Sequence, residues 1–439
     1  MACFGSSSLR CIRRSQADTF LCHLFLNRSV VVNKTTSSRY LLASARDLSF
    51  TRSFHSSRES RSSFEDSTSN NFHSKTQNTR TLSPHSSVNS NTCHRKYSSV
   101  HTQLPVGSVP EAQVDPYILL DDQLKYFYDD VRQILRQSTS QIELETIATY
   151  YFDGQGKALR PMVSLLMARA INYHLNKESR QILSMQRQIA LFSEMVHSAS
   201  LVHDDVIDQS DFRRGKPSVN ALWNHKKVTM AGDYILSVAS IMIARLGNND
   251  VTIILSQILA DLVQGEFMQL GSKETENERF AHYLTKTYRK TASLIANTLK
   301  STAVIAGADD HIAEIAFQYG RNIGLAFQLV DDMLDFVSST ETMGKPTAAD
   351  LKLGLATAPV LFACEKYPEL NPMIMRRFNE PGDVERAFDL VHKSHGLEQT
   401  RFLAKKHCIE AMRLAQELTD SPYQKGLQVV GDLVINRMK

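Results

Sequence analysis

Proline is absent from the whole stretch between Pro217 and Pro346. Its ring fixes φ and removes an N–H donor, so a long proline-free stretch leaves room for several uninterrupted helices. Within Ile189–Val202 the apolar residues Ile189, Phe192, Val196 and Ala199 recur at steps of three and four, which is one face of a helix. Thr229–Leu246 and Val251–Leu270 follow the same rule. Alternating β-branched segments bounded by turn residues are absent, and the chain is expected to be all-α. No run of roughly 18 apolar residues is free of charge, so no membrane span is expected. Nothing repeats at a fixed period. The main break inside the body is Thr340–Gly354, where Gly344, Pro346 and Gly354 stand among Lys345, Asp350 and Lys352. Such a loop is a candidate lid.

The formal net charge of +4 conceals a split. Residues 1–100 hold 14 Lys/Arg against 5 Asp/Glu, while the remaining 339 hold 36 against 41. The body is therefore mildly acidic and carries no general nucleic-acid footprint. The first hundred residues also hold 24 serines, and up to Arg46 the only acidic residue is Asp18. An Arg-rich, Ser-rich, acid-poor composition is that of an organellar transit peptide. A disordered tail with no address shares these features. Phe20–Phe25 is too short and too mixed for a secretory signal or a span. Arg95-Lys96-Tyr97 before Ser98 resembles a matrix-protease cleavage site, with Arg52-Ser53-Phe54 a second candidate. The expected division is a mitochondrial transit and Ser-rich segment over 1–97, a linker over 98–116 and a helical domain over 117–439, with the mitochondrial matrix as destination. In the body only Cys364 and Cys408 remain, far apart, and they read as buried thiols in a reducing compartment.

Two segments share one arrangement, Leu201-Val202-His203-Asp204-Asp205-Val206-Ile207-Asp208 and Phe327-Gln328-Leu329-Val330-Asp331-Asp332-Met333-Leu334-Asp335. On a helix the first and third aspartates of each lie four apart and share a face. Like charges at that spacing repel, and apolar flanks add a desolvation penalty, so the pattern is destabilising unless a cation is present. Its occurrence twice suggests two carboxylate rims facing one cation-filled space. A pair of solvated acidic helix ends is the blander account, and two matching clusters with apolar flanks fit it poorly. Carboxylates with water suit Mg²⁺, which is usually bound through substrate phosphates. No His or Cys stands at ligand spacing, which argues against zinc.

Metal rims imply an anionic ligand, and that ligand also needs cationic donors. Gly156-Lys157-Ala158-Leu159-Arg160-Pro161 places Lys and Arg three apart at the opening of a helix, where free amides and the dipole favour anions. Arg213-Arg214-Gly215-Lys216-Pro217 follows the first aspartate cluster by a few residues, and guanidinium groups bind phosphate oxygens in a bidentate way. Alone, either basic motif is more often a solvated surface; nearness to the metal motif gives it weight. His197 lies two turns before Asp204 on the same face, where a lone His is as readily a satisfied partner as a ligand. Lys290-Thr291 sits in an apolar helix, where a charge needs a reason. Gln328, three before Asp331, can point into the same space.

The ordered set GKALRP, LVHDDVID, RRG, KT, FQLVDDMLD and GKPTAADLKLG resembles the trans-prenyltransferase family, the farnesyl, geranylgeranyl and polyprenyl diphosphate synthases, over nearly all of residues 117–439. The chain is most similar to the mitochondrial decaprenyl and solanesyl branch that makes the ubiquinone side chain, above all from Gly265 to Ala296. The resemblance implies an isoprenoid synthase fold, a large antiparallel helical bundle around a central cavity. It implies Asp204, Asp205, Asp208, Asp331, Asp332 and Asp335 as ligands of Mg²⁺, about three ions with substrate bound. By the same resemblance Lys157, Arg160, His197 and Arg214 bind isopentenyl diphosphate. Arg213, Lys290, Thr291, Gln328, Lys345 and Lys352 hold the allylic diphosphate, farnesyl or geranylgeranyl, with Lys290 also counted as catalytic. Arg437-x-Lys439 is similar to the family's basic tail. Ala199 and Ser200, about one turn before Asp204, stand where short-chain members carry a large aromatic. Small residues there leave a tunnel open for a long product, or they merely pack two helices closely. A hetero-oligomer with a divergent second subunit is also implied. An insoluble product would favour peripheral contact with the inner mitochondrial membrane, although no basic amphipathic helix provides for it. A geranylgeranyl synthase that stops early is the second reading. A non-catalytic regulatory subunit is the third, and degraded aspartates would be its signature.

Overall fold

The computed structural model describes residues 114–154, 156, 158–271, 278–337 and 348–438. Lys157, Lys345 and Lys439 lie outside the described residues, as do the transit segment, nearly all of the linker and much of the Thr340–Gly354 loop. The first described helix begins at Pro116, a residue suited to the first helical turn, with Asp115 as its cap, accepting from the Tyr117 amide at 2.8 Å.

Two helices of 28 residues each form the spine, Arg180–Ile207 and Asp310–Val337. Ser179 caps the first, accepting from the Ile182 amide at 3.2 Å. Its periodic face is buried as the spacing requires: Ile189, Phe192, Val196 and Ala199 are all fully buried. Each of the large ones contributes about 1.5–3 kcal/mol. This helix packs on Leu159–His174 and on His225–Ala244, and the second spine helix packs on Ser293–Ile305 and Gly396–Ala415. The second contact is backbone to backbone. A Cβ on Gly320 or Gly324 would lie 2.8 Å or 2.5 Å from the Cα of Ala296 or Ala292. One main core fills the bundle, and a smaller one forms where Phe336 meets Leu351, Val360, Leu390 and Val391. The chain is thus the expected all-α bundle.

One expectation needs correction. A small antiparallel hairpin interrupts the helices, with Phe212 opposite Pro217 and Arg213 opposite Lys216. Positive φ at both Arg214 (52°) and Gly215 (76°) makes the tight turn that suits strand twist. Two helices, His225–Ala244 and Asn249–Leu270, are long and apolar enough to cross a membrane by length and composition alone. A search for uninterrupted apolar runs misses them because single polar residues such as Asp233 and Asp261 break the run without lowering the mean. Their hydropathy has two sources. Val251, Leu255 and Ile258 face the core, whereas Ile253, Val263 and Phe267 are exposed.

Candidate active site

The C-terminal ends of the two spine helices open on one cavity of about 300 Å³. His197, Ser200, Leu201, Asp204 and Asp208 line it from the first helix, at steps of three and four with one adjacent pair. Phe327, Gln328, Asp331 and Asp332 line it from the second. The two aspartate clusters therefore share a single space.

They do not bring all six carboxylates into it. Asp205 is fully buried and lies outside the lining. One residue on from Asp204 it sits roughly 100° around the helix, and there it accepts from the Tyr151 hydroxyl and, at 2.6 Å, from Arg213 Nε. Asp335 faces the segment that follows: Oδ1 accepts from the Ala349 amide at 3.0 Å and Oδ2 from the Asp350 amide at 3.1 Å. Four of the six cluster aspartates line the cavity, and the other two anchor neighbouring chain.

Burial is the largest influence on Asp204 and pushes its carboxyl up to about 6; Lys290 opposes this, and Glu266 and Asp208 add to it. Asp332 is 2% exposed, and burial raises it too, against hydrogen bonds that favour its charged form. Tyr283 donates to its Oδ2 at 2.5 Å, and Gln328 Nε2 donates to its Oδ1 at 2.9 Å. Thr291 in turn donates to Gln328 Oε1 at 2.9 Å. This chain of bonds fixes one rim. On the same rim Asp331 accepts from Arg437, whose guanidinium lies 3.9 Å from the Phe327 ring centroid.

The predicted basic residues divide into two groups. Arg160 stands in the first turn of Leu159–His174 and lines the cavity together with His197. Burial, then Arg160 and Arg214, hold the His197 imidazole well below its usual value, so the ring is neutral. Arg214 itself lies outside the lining, beside Gly156, where a Cβ would stand 3.5 Å from its Nη1. Buried Glu194 faces this group and accepts from the Tyr128 hydroxyl at 3.1 Å. The second group is carried by a π-helical segment, Tyr288–Ala292, inserted between Arg279–Thr287 and Ser293–Ile305. The wider turn aims both Lys290 and Thr291 at the cavity. Lys290 pairs with Glu266 at 2.5 Å.

Other expectations part from the structure. Lys352 is exposed and outside the lining, because its short helix turns Leu351 into the smaller core and Asp350 toward the cavity. Ser200 lines the cavity, but Ala199 is fully buried in the core, a step of roughly 100° away. Lys286 and Tyr283 line the cavity and were not singled out from the sequence. Lys286 had a readable signal, since it stands four before Lys290.

Among the described residues no three His, Cys, Asp or Glu side chains converge as a ready metal cage. Opposed carboxylates without a cage fit a hard cation that keeps water and takes its remaining oxygens from a bound phosphate.

Comparison with known proteins agrees with this geometry. The polyprenyl synthetase family model matches residues 141–391. The chain is 56% identical over 329 residues to the all-trans-polyprenyl-diphosphate synthase PDSS1 of Homo sapiens, covering 75% of this chain and 79% of that one. It is 38% identical over 322 residues to the mitochondrial solanesyl-diphosphate synthase 1 of Oryza sativa, covering 71% and 74%. Its fold matches the crystal structure of a polyprenyl synthase from Caulobacter crescentus complexed with calcium and isoprenyl diphosphate, at a TM-score of 0.66 and 29% identity, over 74% of this chain and 98% of that one. With two aspartate clusters converging on a helix-walled cavity that also holds Arg160, Arg213, Lys286 and Lys290, this chain belongs to the polyprenyl synthetase family.

Proposed function

We infer that the chain is a long-chain all-trans polyprenyl diphosphate synthase that adds isopentenyl units to an allylic diphosphate, farnesyl or geranylgeranyl, to make the ubiquinone side chain. The observation that carries this reading is the meeting of Asp204 and Asp208 with Asp331 and Asp332 across one cavity that Arg160, Arg213, Lys286 and Lys290 also line. Mg²⁺ is the metal that this donor set suits, about three ions when substrate is bound. Asp204, Asp208, Asp331 and Asp332 would hold it, and Asp205 and Asp335 would position Arg213 and the Ala349–Lys352 turn. When bound, the metal neutralises charge on the departing diphosphate.

The chain's own residues do the rest. Lys290, Thr291, Gln328 and Arg213 hold the allylic diphosphate so that its C–O bond can break toward fixed positive charge. Arg160, Arg214 and neutral His197 hold isopentenyl diphosphate, with Lys157 joining them. Lys345 and Lys352 belong to the segment that would cover the allylic group. The isopentenyl double bond then attacks the allylic carbocation, and a proton leaves to the departed diphosphate. Apolar Leu201, Leu262, Leu294 and Phe327 keep water from quenching the cation. Ser200, small and in the lining, leaves room for a long tail.

The mitochondrial name of a relative and the composition of residues 1–97 support import to the matrix. An outward apolar stripe, Ile253, Val263, Phe267 and Leu270, supports association with a second synthase subunit. Delivery of an insoluble product supports peripheral contact with the inner membrane.

The test is incubation of purified protein, alone and with a candidate partner, with farnesyl diphosphate, labelled isopentenyl diphosphate and Mg²⁺. Long all-trans products are expected. Asp204→Asn and Asp331→Asn should each lower incorporation by about 10²–10³; normal turnover in either removes its assigned role.

A further inference from the structure

A second cavity, of about 480 Å³, adjoins the first and shares Gln269, Tyr283, Lys286 and Leu355 with it. Arg279 and Lys286 reach it from one helix, seven residues and so two turns apart on the same face. Arg377 reaches it from the other side. Its backbone is left-handed (φ 55°), as is that of Phe378 (φ 53°), whose ring is buried in the smaller core. Two successive left-handed residues that are not glycine are unfavourable, and packing of the Phe378 ring holds them there. The result is that Arg377 turns into the cavity.

Among the described residues the hydrogen-bond partners of the two arginines are neutral. Arg279 donates to Asn371 Oδ1 at 2.7 Å, and Arg377 donates to the Gln269 carbonyl at 3.4 Å. Lys286 has the Tyr283 ring beside it, 5.7 Å away, and faces Asp332 and Asp350 on the side of the first cavity. No Asp or Glu lines this cavity among the described residues, in contrast to the first. Three cations around one partly open space, with no carboxylate among the described lining residues, call for a compact anion of high charge. One wall is apolar, with Leu270, Leu361 and Ile374.

We propose that this second cavity is a binding site for a diphosphate group, separate from the reaction site and connected to it across Lys286. Two sources share that chemistry. One is inorganic diphosphate, released in each addition. The other is the headgroup of a prenyl diphosphate whose first carbons rest on the apolar wall. The supply of either ligand rests on the synthase reading; the site's affinity for the group does not.

The experiment uses the full chain and two probes, inorganic diphosphate and farnesyl thiolodiphosphate, titrated by calorimetry with Mg²⁺ present. Wild type is expected to bind at two classes of site. Arg279→Gln/Arg377→Gln should lose one class, its affinity falling about tenfold or more, while both substrate KM values stay within about twofold. Arg279→Lys/Arg377→Lys should keep both classes. Loss confined to the inorganic probe assigns the site to the free anion; loss with both probes assigns it to the shared headgroup. A single class in wild type, two undiminished classes in the Gln variant, or the same loss in the Lys variant overturns the proposal. Failure of the synthase reading has a different signature, two intact binding classes with no incorporation of labelled isopentenyl diphosphate.

Discussion

Asp204 bears a conflict that its neighbours relieve only in part. Burial and the carboxylates of Glu266 and Asp208 raise it to about 6, and Lys290 and Arg213 pull the other way. Its folded pKa thus lies above the ordinary value of 3.8. The folded state binds the proton more tightly than the unfolded chain, so between pH 4 and about 6 this group's contribution to stability falls as pH rises. Above that window the penalty is complete, on the order of 1–3 kcal/mol after screening. Asp204→Asn should therefore melt a few degrees higher than wild type at pH 8 without metal, with the gap vanishing near pH 4. Thermal melts across that pH range check this, and equal melting at pH 8 refutes it. Mg²⁺ with a diphosphate should raise the wild-type melting point and leave Asp204→Asn unmoved. At this scale the sequence was a good guide where charge had no local excuse. Asp204, Asp331 and Lys290 stand out for that reason, and Gln328 by its place three before Asp331. The sequence does not say where Asp205 and Asp335 turn, because the triplet's spacing says which residues share a face but not which hydroxyls, guanidinium groups and amides wait beside the others.

Among elements, the π-helical segment has the largest consequence for the site. Lys290 and Thr291 sit within it, Gly265 lies under Lys290, and Gly324 lies under Ala292. A Cβ on Gly265 would stand 2.7 Å from Lys290 Cγ, an atom that can swing away. A Cβ on Gly324 would stand 2.5 Å from the Ala292 Cα, which cannot. The two substitutions should therefore separate. Gly265→Ala is expected to keep stability within about 1 kcal/mol while raising the allylic KM, because the Lys290 side chain is displaced. Gly324→Ala should destabilise by about 1–3 kcal/mol, since two backbones must part. Denaturant melts and steady-state kinetics distinguish them; equal stability losses would show that the Lys290 contact is as rigid as the backbone one. Helix positions were legible from period alone, since Ile189, Phe192, Val196 and Ala199 all turned inward. The π segment and the hairpin at Arg213–Lys216 were not. Each is set by how neighbouring helices and the Asp205–Arg213 pair meet, and no local periodicity encodes that.

At the scale of the whole molecule, the notable surface is the outer face of His225–Ala244 and Asn249–Gly271. Met230 and Ile241 are eleven residues apart, close to three turns, and are both exposed. On the neighbouring helix Ile253, Val263, Phe267 and Leu270 share one side, with Ile253 69% and Phe267 75% exposed. Scattered apolar residues on a surface need no explanation, but several large ones on the outer sides of two successive helices do. A span is a poor explanation, because His225–Ala244 already packs on the first spine helix and buries Val228, Ala231, Ile235 and Ala239 there. Association with another helical subunit satisfies the outer face and leaves the inner one in place. It also has a bearing on catalysis, since Gln269 and Leu262 of the same helix line the cavity. Covering the outer face would steady the wall from which Glu266 reaches Lys290. Ile253→Glu/Phe267→Glu places charge on exposed positions, so the isolated fold should melt within about 1 kcal/mol of wild type. Its mass by light scattering should fall to that of one chain, and its activity should fall with it. A variant that stays assembled would show that this face meets no partner. One that dissociates yet works at the wild-type rate would sever assembly from the chemistry.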